Sequence, residues 1–156
     1  MNSQTQARGP APYIHEVRVG WGHCDPAQIA FTGHIPWFAL EAIDAWWQAH
    51  LGGAGWFQLN IDRNVGTPFV HMSLDFSSPV TPRHPLVCEV APVRLGTKSI
   101  EFQVIGRQDG KKCFQGRFVS VFVISDQHGV SIPAPDDIRA VVEAHLLPEP
   151  QPQDAE

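Results

Sequence analysis

The stretch WFALEAIDAWWQAH, residues 37–50, constrains the fold more than any other part of the chain. Pro36 suits the first turn of a helix, where its missing N–H costs nothing, and Gly52-Gly53 supplies a stop just after His50. On helical spacing Glu41, Asp44 and Gln48 share one narrow stripe, while Trp37, Phe38, Leu40, Ile43, Trp46 and Trp47 fill nearly all the rest. A helix that is apolar on most sides has to be enclosed, so the rest of the chain must supply a surface that wraps it.

That surface reads as strands. Residues 13–20 (YIHEVRVG) alternate before a loop that runs through Thr32-Gly33-His34. In FVHMSLDF (69–76), Val70, Met72, Leu74 and Phe76 share one face of a half-buried strand, and His71, Ser73 and Asp75 share the other. LVCEVAPVRL (86–95) follows, with Pro92 marking a bulge or an edge, and then SIEFQVIGR (99–107). Asp109-Gly110 is a hairpin signal leading into one long strand, KCFQGRFVSVFVI (112–124), and Pro133 to Asp137 open a terminal helix ending near Leu147. The tight connections at Gly96-Thr97 and Asp109-Gly110 require antiparallel neighbours and disfavour a doubly wound nucleotide-binding fold. The expected architecture is α+β, an antiparallel five-stranded sheet wrapped around a central helix, in a single domain over 12–147. The polar, proline-rich segments 1–11 and 148–156 are expected to be flexible tails.

Charge and cysteine usage narrow the function classes. The net charge is −5, from 16 acidic and 11 basic residues, and Lys and Arg do not cluster, so no nucleic-acid footprint is present. The longest apolar run is broken by Glu41 and Asp44 and falls short of the ~20 residues a membrane span needs. Cys24, Cys88 and Cys113 are odd in number and widely spaced, as expected for reduced thiols, and the polar start MNSQTQARGPAP lacks the apolar core of a secretory signal. A cytoplasmic protein is the expectation.

The segment WGHCDPAQIAF (21–31) is harder to explain by packing, because it sets Asp25 in a run otherwise ready for burial, just ahead of the positive end of the helix. Cys-Asp-Pro is a common way to shape a turn, since the carboxylate accepts backbone N–H bonds and proline presets the next φ. His23, Cys24 and Asp25 do not make a metal site, because adjacent residues rarely hold one ion together and no second pair stands at ligand spacing. Cys24 has no base assignable from sequence and reads as packing.

Through WGHCDPAQIAF, the aromatic helix after it and GTPFV (66–70), the chain resembles the 4-hydroxybenzoyl-CoA thioesterase family of hotdog-fold proteins, whose members carry a D-C-D-P-A-G-I-V-like run here. The likeness covers roughly residues 13–125. It implies that Asp25 is the catalytic carboxylate, acting as nucleophile or general base on the thioester carbonyl, two roles the sequence does not separate. It also implies that the backbone N–H of Thr32, seven residues on, aided by that of Gly33, stabilises the oxyanion. Lys98 and Ser99 stand at the turn the family uses to hold the phosphates of coenzyme A, which is part of the substrate; no cofactor or metal is implied. His23, Gln28 and His34-Ile35 depart from the family's usual residues.

Phe31, His34, Thr67 and His71 are candidates for contact with substrate, although aromatic residues at such spacing are often core and polar residues often satisfy themselves on backbone groups. Glu41 is a rival carboxylate, since other hotdog thioesterases place theirs on the central helix; on the polar stripe it reads as a solvated or interface residue. Ile105, Val119, Val121 and Val123 are expected to form an outward apolar face that self-association would bury. The resemblance likewise implies a homodimer with active sites between subunits, commonly paired into a homotetramer. The leading expectation is a hydrolase of short or aromatic acyl-CoA thioesters. The alternative is a hotdog protein that binds acyl-CoA or a related ligand without hydrolysis, and a hydratase lacks its motif spacing.

Overall fold

A computed structural model describes residues 10–147. The tails expected at 1–11 and 148–156 lie outside the described residues except for Pro10 and Ala11, which are exposed and without regular structure. Strand β1 (Tyr13–Val17) leads through a 3-10 turn (Trp21–His23) and a loop into α1 (His34–His50). After α2 (Trp56–Asp62) come β2 (Val65–Gly66), β3 (Phe69–Phe76), β4 (Leu86–Leu95), β5 (Ser99–Gln108), β6 (Lys111–Val121), β7 (Val123–Ile124), β8 (Gln127–Ser131) and α3 (Asp136–Ala144). The main sheet has five strands in the order β1-β4-β5-β6-β3, every pair antiparallel, and a small second sheet has the order β2-β7-β8.

The turns explain the antiparallel order. Asp109 and Gly110 both take positive φ, 50° and 75°, the pairing of a two-residue hairpin whose twist matches its strands. Pro92 cannot donate to a ladder, and the β4–β5 register shifts just after it, between Pro92 and Arg94. The inner face of the sheet is Leu86, Cys88 and Val90 on β4, Ile100, Phe102 and Val104 on β5, and Phe114 and Phe118 on β6. It closes on Phe38, Ile43, Trp46 and Trp47 of α1, all at most 1% exposed. Trp46 and Trp47 meet Phe102 edge-on, with ring centroids 5.1 and 5.7 Å apart. Each such side chain contributes roughly 1.5–3 kcal/mol on burial.

Several expectations need correction. Trp37 is 66% exposed, so α1 is enclosed on one side and open on the other. Asp44, expected on a solvated stripe, accepts the Trp56 N–H at 2.6 Å and so caps α2, a helix the sequence reading did not contain. The long strand expected over 112–124 breaks at Phe122, which is fully buried and donates its N–H to the Lys98 carbonyl at 2.8 Å. Val123 is accordingly buried in the second sheet and does not face outward. Ile105, Val119 and Val121 do lie on the outward face, but half-buried beside the ion pairs Arg107–Glu89 (3.0 Å) and Arg117–Glu101 (3.7 Å). The outward face is therefore a mixed charged and apolar lattice. On β3, at the sheet edge, Val70, Met72 and Phe76 were expected to share the buried face of a half-buried strand with Leu74, but they are 61%, 49% and 54% exposed.

Candidate active site at the start of the central helix

The Asp25 loop is a small closed turn. Asp25 N–H donates to the Ile29 carbonyl at 3.0 Å, Gln28 N–H donates to the Asp25 carbonyl at 2.9 Å, and Cys24 bridges to Ala30. One carboxylate oxygen of Asp25 accepts the Ala27 N–H at 2.8 Å. The other meets no donor among the described residues, so the acid both shapes the bend and presents a free oxygen from it. Gln28 closes the turn at φ 66°, the left-handed region that glycine occupies without strain.

The turn delivers the chain to α1 with its end uncapped. His34 N–H donates to the Phe31 carbonyl at 2.9 Å, Ile35 N–H donates to the Thr32 carbonyl at 3.1 Å, and Pro36 has none to give. The N–H groups of Thr32 and Gly33 find no acceptor among the described residues, no side chain caps the helix, and its first turn contains no acid. Two amide donors and the positive end of the helix dipole are thereby available for a negative oxygen. The Phe31 ring lies over Gly33, where an added Cβ would come within 2.7 Å of its Cε1. His34 is half-buried among Phe31, Phe38 and His23, with ring centroids 6.0, 6.2 and 5.2 Å away. His23 accepts the Gly20 N–H on Nδ1 at 2.9 Å, so its neutral ring carries the proton on Nε2.

Beside this end of α1 is a cleft of about 330 Å³, walled by Ile29, Thr32, Ile35, Phe76, Val80 and Phe114 among others. Asp25 does not itself line it. Apart from Thr32, these wall residues were not legible in the sequence, since they come from three separate segments, 29–35, 76–80 and 113–114, that only the tertiary fold joins. The wall is stitched in place: Ala30 N–H donates to the Val80 carbonyl at 2.8 Å, and the buried Gln108 amide binds both carbonyls and an N–H of the loop holding Val80.

The other expected site residues lie elsewhere. Thr67 is buried and lines a second cleft, of about 370 Å³, with Trp56, Asn60 and Phe69. His71 is exposed on β3. Lys98 and Ser99 form the β4–β5 turn, which Arg139 of α3 pins by donating to the Gly96 and Thr97 carbonyls at 2.8 and 3.0 Å. The strand registers put Phe76 opposite Phe114 at the Asp25 end of the sheet, and Phe69 opposite Ser120 and Ser99 opposite Val121 at the far end. Seven residues of strand, about 23 Å, separate Phe69 from Phe76. Within one chain, then, Asp25, Phe31, Thr32, Gly33 and His34 come together, while Thr67, His71, Lys98 and Ser99 gather a strand length away.

The rival groups have partners of their own, and Glu41 also lines a cleft with Trp37, Leu40, Asp44 and Trp56. Glu41 accepts the His15 Nε2–H at 2.9 Å and is half exposed. Burial, reinforced by the negative charge of Glu41, pushes the Cys88 thiol up to about 12. Burial likewise raises Cys113, and Cys24 donates its thiol to the Gly20 carbonyl at 3.7 Å. No helix among the described residues is long and apolar enough to cross a membrane.

Comparisons with known proteins agree with this architecture. Residues 19–142 match the thioesterase-like superfamily. A thioesterase-superfamily protein from Jannaschia sp. CCS1 is 58% identical, with a TM-score of 0.86 over 92% of this chain and 99% of that one. A gentisyl-coenzyme A thioesterase is 19% identical, with a TM-score of 0.72 over 84% of this chain and 99% of that one. A 1,4-dihydroxy-2-naphthoyl-CoA thioesterase from Synechocystis is 14% identical, with a TM-score of 0.74 over 83% of this chain and 94% of that one. At such identities the last two show a shared fold alone. No curated protein matches the chain. With most of its length matched and its sheet curled around a single long helix, the chain belongs to the thioesterase-like superfamily and has the hotdog fold.

Proposed function

We propose that the protein is an acyl-CoA thioesterase of the 4-hydroxybenzoyl-CoA thioesterase type, hydrolysing short or aromatic acyl thioesters. The observation that carries this reading is a carboxylate with one unengaged oxygen in the loop that, seven and eight residues further on, supplies two unengaged amides at a helix start. The Thr32 and Gly33 N–H groups receive the thioester oxygen as it becomes an oxyanion. Asp25 then either attacks the carbonyl carbon, so that loss of the coenzyme A thiolate leaves a mixed anhydride that water hydrolyses to the free acid and the Asp25 carboxylate, or takes a proton from a water that attacks and expels the thiolate directly, giving that proton back to solvent; in both cases the thiolate is protonated by solvent. The Asx bond to Ala27 holds the carboxylate in one orientation, so little ordering is left to the moment of reaction.

The separation of the expected residues within one chain supports a homodimer. β3 is the sheet edge, with one ladder side unpaired and apolar residues exposed along it. Two-fold antiparallel pairing of β3 with a second copy sets Phe69 of one chain opposite Phe76 of the other. The Thr67 cleft of one copy then meets the Thr32 cleft of its mate, and the parts that one chain keeps about 23 Å apart become neighbours. Lys98 and Ser99, at that same far end, are brought toward the mate's site, where the phosphates of coenzyme A need a cation. A further pairing of dimers uses the mixed outward face of the sheet.

Acyl-CoA binding without hydrolysis is the second reading, and one observation favours it: Asp25 already spends an oxygen on its turn and does not line the cleft. Free-thiol release from a panel of acyl-CoA esters decides between them. Turnover of short-chain or aromatic esters is expected; saturable binding of the whole panel without thiol release overturns the hydrolase reading.

A further inference from the structure

Arg63, Arg107, Arg117 and Arg139 each pair with a carboxylate, at 2.9, 3.0, 3.7 and 3.6 Å. Arg18 and Arg83 have no carboxylate partner among the described residues, although the chain holds 16 acids against 11 bases. The fold brings these two onto the wall of one cleft of about 410 Å³, with Glu16, Trp21, Pro82 and His84 among the other lining residues. Trp21 is 73% exposed there. A solvated indole forgoes its burial, and unpaired guanidiniums on one cleft repel each other. The supports beneath these side chains are rigid. Trp21 stands on the 3-10 turn, where His23 N–H donates to the Gly20 carbonyl and Cys24 N–H to the Trp21 carbonyl, both at 3.0 Å. Arg83 and His84 belong to the loop that Gln108, 6% exposed, clamps by accepting the Thr81 N–H and donating to the Thr81 and His84 carbonyls. Arg18 follows β1 between Val17 and Val19, both buried. Little backbone ordering is left to a binding event.

A flat ring that carries an anion answers both features at once. We infer that this cleft binds a purine nucleotide, with the ring stacked on Trp21 and the phosphate held by Arg18 and Arg83. Guanidinium groups match phosphate oxygens in pairs, and an indole face stacks on a base whatever its hydrogen-bonding edge. Glu16, the one acid on the wall, is an acceptor for an exocyclic amino group and disfavours a ligand that is all charge. The volume lies within the usual range of small-ligand sites, roughly 300–1,000 Å³. This assignment goes beyond the thioesterase reading, since neither the Thr32 cleft nor the Lys98 turn contributes a residue to the wall. A neighbouring cleft shares Trp21, Pro82 and Arg83 and reaches Gln28, so the site adjoins the Asp25 turn. A free nucleotide and the nucleotide end of a coenzyme A ester carry the same ring and phosphate, and competition tells them apart.

The test titrates the full-length protein with AMP, ADP, adenosine and inorganic phosphate, followed by calorimetry and tryptophan fluorescence. Saturable binding of AMP and ADP is expected, with a fluorescence quench that Trp21→Ala removes. Arg18→Ala and Arg83→Ala should each weaken nucleotide binding by at least ~tenfold, and added salt should weaken it in the wild type. Adenosine and inorganic phosphate each carry half of the chemistry and should bind at least ~tenfold more weakly than AMP. All three substituted side chains are exposed, so the variants are expected to fold as the wild type does. Absence of saturable nucleotide binding, or binding that the three substitutions leave unmoved, overturns the inference. S-ethyl-CoA, a thioether that is not hydrolysed, separates the sources. Competition with AMP assigns the cleft to the coenzyme end of the substrate, and simultaneous binding assigns it to a free nucleotide. Thiol release from acyl-CoA is a separate measurement, so loss of the nucleotide site would leave the thioesterase reading standing.

Discussion

Asp25 is at once a turn-former and the candidate catalyst, and the two roles use different oxygens. The oxygen bonded to the Ala27 N–H fixes the bend, and the free one is available to a thioester or a water. Gln28 bears the strain of that bend, at φ 66°. Replacing it with glycine removes a left-handed cost of roughly 1–2 kcal/mol and adds unfolded-state entropy of roughly 0.5–1 kcal/mol. Gln28→Gly is therefore expected to raise stability by up to about 1 kcal/mol in chemical denaturation; a clear loss would mean that the Gln28 side chain makes a compensating contact. The motif around Asp25 was legible in the sequence because its residue types are unusual for packing. Whether its oxygens were occupied was not, since that depends on the backbone path from Asp25 to Ile29, which a β-turn and an Asx turn close together.

At the scale of elements, α1 and the strands on its inner face were readable because their periodicities match what they bury. The errors share a cause, namely contacts from elsewhere that override a local pattern. Phe122 interrupts a run of strand formers because it is drawn into the core, and Asp44 leaves the solvated stripe because α2 offers it the Trp56 N–H. The C-terminal end of α1 holds a further consequence. His50, packed against Tyr13, Trp46 and His145, donates its Nδ1–H to the Trp46 carbonyl at 2.8 Å. Its pKa is lowered from 6.5, chiefly by burial and further by the charge of His145, against the raising effect of that carbonyl. The folded state therefore binds fewer protons than the unfolded chain just below pH 6.5, so stability falls as pH drops through that region. Asp137 is lowered as well, first by its hydrogen bond from Arg63, and its contribution is present above its usual 3.8 and lost at lower pH as it protonates. The melting temperature should thus decline from pH 7 to pH 5, and His50→Gln should flatten that decline; an unchanged slope would argue against His50 as its source.

At the scale of the molecule, the expected site residues divide between the two ends of one sheet, and the edge strand β3 is where two copies can unite them. The sequence named candidate residues that fall at both ends of the sheet. It could not show their separation, because distance along a strand appears only once the registers are known. A charge in the middle of an unpaired edge opposes strand pairing. Met72→Lys is accordingly expected to raise the dimer dissociation constant by at least ~tenfold, ~1.4 kcal/mol, in light scattering, and to lower activity at protein concentrations where the variant is monomeric. Retained activity in a proven monomer would contradict a site shared between chains.

The most direct measurement is the steady-state rate of thiol release by Asp25→Asn beside the wild type. Asparagine keeps an oxygen for the Ala27 N–H, so the turn survives and only the carboxylate charge is removed. The expected result is a loss of about 10²–10⁴-fold in kcat, with an unchanged melting temperature and a KM close to that of the wild type. Full turnover by Asp25→Asn, with activity lost instead in Glu41→Gln, would move the catalytic carboxylate from the turn to the helix and contradict the mechanism.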